Sequence, residues 1–180
     1  MLEWAISNFL SSRKKHIDWV RLSATDKWHS ENITEVNTLG TEIIINYSNN
    51  KNKLPKFFRR TQLTYAYLSI QKQTGNYYSK YALDVLRHKL SLSHTYSFNN
   101  KVNFSWYLLY HERSGTYTEY PSGNEITYKP YITVDASINY QWKNINFFIN
   151  GSNLFNSYYY DIANIPMPGR WVRSGFSLTL

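Results

Sequence analysis

The chain contains no cysteine, which excludes disulfide scaffolds, thiol nucleophiles and thiolate metal sites. It also lacks any run of the roughly 18 apolar residues that a membrane-crossing helix requires, so a helical membrane protein is excluded. The first residues, Met1-Leu2-Glu3-Trp4-Ala5-Ile6, show no basic region, apolar stretch or small-residue cleavage site of an export signal. There is no glycine-rich phosphate loop and no nucleophile elbow, and Asp18, Asp135, Glu42 and Glu112 form no paired-carboxylate pattern. His16, His29, His88, His94 and His111 lack ligand spacing; His88 and His94 share a strand face but stand too far apart to chelate one ion. Neither an enzyme nor a metal or cofactor site is therefore expected. The net charge is +8, but the basic residues are scattered, with Arg13-Lys14-Lys15 and Arg59-Arg60 the densest groups, so nucleic acid is not an expected partner.

Aromatic residues are abundant, with 17 Tyr, 6 Trp and 9 Phe in 180 residues, yet the mean hydropathy is only -0.53. Two settings combine many rings with a polar chain. One is a soluble β-protein with an aromatic core; the other is a membrane barrel girdled by aromatics at both interfaces.

Apolar residues recur with a period of two, which predicts an all-β chain. In 131–142, Ile132, Val134, Ala136, Ile138, Tyr140 and Trp142 alternate with Thr133, Asp135, Ser137, Asn139 and Gln141. In 86–98, Leu90, Leu92, Tyr96 and Phe98 oppose Lys89, Ser91, Ser93, Thr95 and Ser97, with His94 interrupting the apolar row. The segment 102–110 places Val102, Phe104, Trp106, Leu108 and Tyr110 together, and weaker alternation marks 60–70 and 42–47. With 145–153, 170–180 and a less regular run over 4–19, the pattern predicts an antiparallel meander of about eight strands, near the 9–11 residues that cross a bilayer when tilted. Short links at 49–52, 99–101 and 143–144 alternate with longer ones at 24–32, 73–81, 114–129 and 155–169. That segregation suits tight turns on one rim and long loops on the other.

The C-terminal part carries Asn153-Leu154-Phe155-Asn156, then Tyr158 to Asp161, then Pro166-Met167-Pro168-Gly169-Arg170, then a closing alternating strand. This ending resembles that of TonB-dependent outer-membrane receptors. A looser similarity covers Ile17-Asp18-Trp19-Val20-Arg21, Trp28, and Asn32 to Glu42, where Gly40 would permit a bulge or close approach; the tryptophan-rich hairpin looks most like cobalamin or siderophore receptors. The proline pair interrupts regular ladder pairing and Gly169 turns the chain back. Val172, Phe176, Leu178 and Leu180 would then face lipid.

The resemblance implies that residues 1–180 are the C-terminal part of the barrel domain, the last strands of a 22-stranded barrel, without the plug. The whole receptor would take up a scarce chelate in the outer membrane. Its partners would be outer-membrane lipids, the barrel assembly machinery, the plug and upstream strands, and, through the plug alone, TonB. Strands of this kind generally end in an aromatic read by the assembly machinery, whereas this chain ends in Leu180 with Phe176 four positions earlier. Trp28, Tyr77, Tyr78, Tyr117, Tyr120, Tyr158 and Tyr159 fall on the predicted long loops, where rings can stack on a ligand. Two alternatives fit the same periodicity: a complete eight-stranded outer-membrane barrel and a soluble lipocalin-like binding barrel. The orientation of the apolar rows discriminates between membrane and soluble forms.

Overall fold

Period-two alternation makes one face of each strand apolar and the other polar, and the chain satisfies its backbone groups by pairing each such strand with the next. The computed structural model describes residues 1–23, 25–49, 58–73, 78–79, 85–98 and 101–179. In chain order the strands are β1 (Leu2–Arg21), β2 (His29–Ser48), β3 (Phe58–Gln73), β4 (Tyr78–Ser79), β5 (Leu86–Phe98), β6 (Val102–Arg113), β7 (Thr116–Thr118), β8 (Glu125–Thr127), β9 (Tyr131–Trp142), β10 (Ile145–Ser152), β11 (Tyr160–Ile162), β12 (Ile165–Pro166) and β13 (Trp171–Leu178). Eight of these are long, and each long strand pairs antiparallel with the long strand next to it in sequence. The short ones decorate one rim: β7–β8 and β11–β12 are small hairpins, and β4 pairs with the end of β1.

The sheet runs β13-β10-β9-β6-β5-β3-β2-β1-β4, and among the described residues β13 is not hydrogen-bonded to β1. It is an open wall. Neither the complete eight-stranded barrel nor the lipocalin-like barrel is formed, because both require those edges to meet.

Register places the apolar rows on one face. Leu63, Leu92, Leu108 and Val134 are successive cross-strand partners. So are Phe98, Val102, Tyr140, Phe147 and Phe176. No sealed core covers these rows: Ile138 is 46% and Phe176 68% exposed, while Leu92 and Trp106 are half-buried. The opposite face carries a polar ladder, with Thr95 and Ser105 hydroxyls 3.1 Å apart, Ser137 donating to Asn150 at 2.6 Å and Asn139 to Ser137 at 3.1 Å. Some polar residues on the apolar face pair with one another. Thr41 donates to Asn8 at 2.8 Å, and the Tyr65 hydroxyl lies 2.8 Å from His88 Nδ1. His94, which interrupts the row, is sheltered by Phe58, Tyr96 and Trp106, with its Nδ1 2.5 Å from the Thr61 hydroxyl.

The row from Val102 to Tyr110 spans about 27 Å along the strand. Near one rim it ends in stacked rings, with Tyr96 5.9 Å from Phe104, Tyr140 6.5 Å from Phe147 and Phe147 6.3 Å from Phe176. Near the other it ends at Tyr65, Tyr67 and His88, where the Tyr67 and His88 rings are 5.0 Å apart. An apolar band flanked by rings at both ends is the pattern expected of membrane-barrel strands.

Several boundaries differ from the sequence expectation. On β1, Lys15 adopts a positive φ of 60°, and the phase of alternation slips there. Leu10 below it and Ile17 and Trp19 above it are all exposed apolar residues, while Val20 turns inward to pack with Val36 and Ile70. The expected turn at 49–52 lies, from Asn50 on, outside the described residues, which resume at Phe58 in β3. The expected loop 24–32 is shorter, since β2 begins at His29. Gly40 makes a close approach and no bulge: the Phe9 ring occupies the space its Cβ would fill, with register continuous through the pair.

Candidate functional site at the long-loop rim

The links joining β1 to β2, β3 to β5, β6 to β9 and β10 to β13 all lie on one rim, because the meander alternates direction. The last two carry hairpins, and the chain brings them together through its ending motif. Asn153 is buried and left-handed (φ 47°). Its amide nitrogen donates to Ser157 O at 2.9 Å and Pro168 O at 3.2 Å, and its oxygen accepts from Ser157 N at 2.8 Å. The backbone of this turn hangs from β9, with Asn153 N donating to Asp135 Oδ1 and Leu154 N to Val134 O, both at 2.8 Å. Asn156, also left-handed (φ 54°), accepts from Arg170 N at 2.9 Å. Gly169 packs closely here, since an added Cβ would come within 2.7 Å of Asn156 Oδ1, the atom that accepts from Arg170 N. Arg170 Nη1 reaches Leu154 O at 3.5 Å, whereas Phe155 is 74% exposed. Pro166 ends the short β12 opposite Tyr160. The motif is thus a knot that fixes where the last loop leaves the wall.

Above that knot lies a cavity of about 330 Å³ walled by Tyr117, Tyr128, Tyr131, Tyr158, Tyr159 and Tyr160, with Glu119 and Lys129 at its margin. Tyr159 stacks on Tyr131 at 4.0 Å with an interplanar angle of 24°. Tyr117 lies 5.0 Å from Tyr128 and 6.1 Å from Tyr160. The hydroxyls of Tyr158 and Tyr160 share a hydrogen bond of 2.7 Å. A charged floor supports the rings. Tyr131 donates to Asp161 at 2.8 Å, its hydroxyl lies 2.6 Å from His111 Nδ1, and Arg113 sits 3.6 Å from Asp161 and over the Tyr128 ring at 5.6 Å. The shared hydrogen bond to Tyr158 pushes the Tyr160 phenol up to about 12. Burial, with Asp161 and Asp135 adding to it, pushes Tyr159 up as well.

Of the loop aromatics expected from sequence, Tyr117, Tyr158 and Tyr159 meet in this cavity. Tyr120 stands beside it, 84% exposed. Trp28 is elsewhere, on the β1–β2 loop, half-buried beneath the Arg21 guanidinium at 4.5 Å. The Tyr78 backbone pairs with Arg21; Tyr77 and Leu180 lie outside the described residues. Sequence reasoning missed Tyr128, Tyr131 and Tyr160, which carry half of the aromatic wall, and their Asp161, Arg113 and His111 support. The adjacency of Tyr160 to Tyr158 and Tyr159 was the available signal. On the polar face of the wall, a second concavity of about 280 Å³ is lined by Ser93, Thr95, Tyr107, Asp135, Asn150 and Arg173 among others.

No family model matches the chain, and no curated protein matches it. Solved structures do. The chain is similar to the FrpB iron transporter from Neisseria meningitidis (TM-score 0.69, 16% identity, 97% of this chain and 28% of that one). It is similar to the ferripyoverdine receptor of the outer membrane of Pseudomonas aeruginosa (TM-score 0.73, 16% identity, 97% and 24%) and to the copper transporter OprC (TM-score 0.72, 12% identity, 97% and 28%). The chain therefore spans about a quarter of the length of the structures it matches. These are TonB-dependent receptors, and this chain has the fold of one stretch of their barrel wall.

Proposed function

We propose that residues 1–180 form the C-terminal stretch of the barrel domain of an outer-membrane active-transport receptor, energised through TonB, that takes up a scarce chelate such as a siderophore or cobalamin. One observation carries this reading: an uncovered apolar band on one face of the wall and a tyrosine-walled cavity at the rim of the long loops coexist. The matched structures, an iron transporter, a ferripyoverdine receptor and a copper transporter, support it. In this reading the stretch contributes wall and loop surface and performs no bond chemistry. The plug and the upstream strands complete the receptor, and TonB acts through the plug. Lipids cover the apolar face, and the assembly machinery reads the closing strand. Tyr117, Tyr158 and Tyr159, joined by Tyr128, Tyr131 and Tyr160, offer ring faces and hydroxyls to a ligand.

Because the chain has no native cysteine, single cysteines report topology in Gram-negative cells. Ser122→Cys, on the β7–β8 hairpin, is expected to react with a membrane-impermeant maleimide on intact cells. Asn144→Cys, in the tight turn between β9 and β10, should react only after permeabilisation. Reversed labelling, or recovery of the chain in the soluble fraction, would sink the proposal.

A further inference from the structure

A side-chain amide carries the same donor and acceptor pair as a peptide unit. Asn164, left-handed (φ 61°) at the tip of the β11–β12 hairpin, uses its amide in that way. Its Nδ2 donates to Thr118 O at 2.9 Å, and its Oδ1 accepts from Tyr120 N at 2.9 Å. Thr118 is the last residue of β7 and Tyr120 follows two positions beyond it; they are 46 and 44 positions away in sequence. This is how an added residue pairs with a strand edge. The backbone conformation narrows the choice of residue further. Glycine would tolerate the left-handed angle but lacks the amide, and asparagine is among the few residues that visit this region readily. The clamp lies beside the cavity, where Tyr117 of β7 meets Tyr160 of β11 at 6.1 Å.

Neither hairpin is stable by itself: β7–β8 pairs three residues with three and β11–β12 three with two, below what an isolated ladder needs. We infer that Asn164 is a positioning residue that joins the two hairpins into a single wall, and that ligand capture by the tyrosine cavity depends on this joint. The second half rests on the reading of that cavity as the ligand face; the first half does not.

Hydrogen exchange in the full chain embedded in phospholipid nanodiscs tests the joint. Asn164→Ala is expected to speed exchange across 116–127 by about tenfold, and Asn164→Asp, which keeps the acceptor for the Tyr120 amide, by less. Thr118→Cys combined with Asn164→Cys supplies the sole thiol pair in a chain without native cysteine. Oxidation should restore protection and dithiothreitol remove it. Unchanged exchange in Asn164→Ala overturns the joint. Capture is read by quenching of aromatic fluorescence with ferric tris(acetohydroxamate), whose Kd should weaken at least about fivefold in Asn164→Ala and recover in the oxidised cysteine pair. If Tyr158→Ala abolishes quenching while Asn164→Ala leaves Kd unchanged, the dependence of capture on the joint is overturned and the cavity reading stands. If neither variant alters quenching, or the probe does not quench at all, the cavity reading falls as well.

Discussion

The ring of Phe9 on β1 lies over Gly40, its cross-strand partner on β2, and fills the space that a side chain there would need. At the far edge of the wall Phe148 covers Gly175 in the same way, with an added Cβ meeting the ring at 2.8 Å. An aromatic laid over a glycine shields exposed backbone and pins register. Gly40→Ala should displace the ring and destabilise the β1–β2 hairpin by about 1–3 kcal/mol. In Phe9→Ala the same glycine change should cost little. A double-mutant cycle by urea titration in lipid micelles checks this, and additive effects would mean the ring does not depend on Gly40.

Asn153 should be the most sensitive single position in the ending motif. Asn153→Ala removes hydrogen bonds to Ser157 and Pro168 and places a poorly suited residue at a left-handed angle. A loss of about 2–4 kcal/mol is expected, with faster exchange across 153–170. Asn153→Gly should recover the backbone share alone. Equal damage from both variants would show that conformation contributes nothing.

Charge placed on neighbouring residues should separate the two faces. Leu92→Lys puts an ammonium in the apolar band and is expected to cost about 2–4 kcal/mol in a bilayer. Ser93→Lys points it to the polar face, where the cost should be under about 1 kcal/mol. Folding yield into lipid vesicles, read by heat-modifiable mobility, reports both. A reversed order would place lipid on the other side of the wall.

The hairpin hydroxyls predict an alkaline transition. The Tyr160 phenol ionises near 12 because of its hydrogen bond with Tyr158, above the ordinary tyrosine value of about 10. The Tyr158–Tyr160 hydrogen bond is therefore fully present below about pH 10 and is lost as pH rises towards 12. Absorbance at 295 nm should show a late-ionising phenol that Tyr160→Phe removes and Tyr158→Phe shifts down.

Legibility in the sequence followed the need for an apolar row. β5 and β9 have the bounds that alternation gave, 86–98 and 131–142, because keeping one face apolar and the other polar sets a period of two along nearly their whole length. β2 was visible only over 42–47 but runs from His29 to Ser48. Its upper part rises past the apolar band, where hydrogen bonding continues without any demand on side-chain polarity. β1 looked irregular since the slip at Lys15 breaks the count, although apolar residues point outward on both sides of it. The ending motif was readable as a unit, but its role as a hydrogen-bonded knot was not. Two of the tyrosine cavity's rings come from positions that period two assigns to a strand end or a linker, Tyr131 and Tyr128. Asn164 gave no signal, because its two partners lie on a different hairpin more than 40 residues away.

Apart from the two-residue β4, each strand of the wall bonds only to its immediate neighbours in the chain. Two consecutive strands can then be deleted or duplicated as a block while every surviving ladder keeps its partner and every remaining strand its direction. Walls of this kind can grow or shrink through evolution by whole hairpins, and a single-strand change would instead reverse all that follows and bring the long loops to the opposite rim.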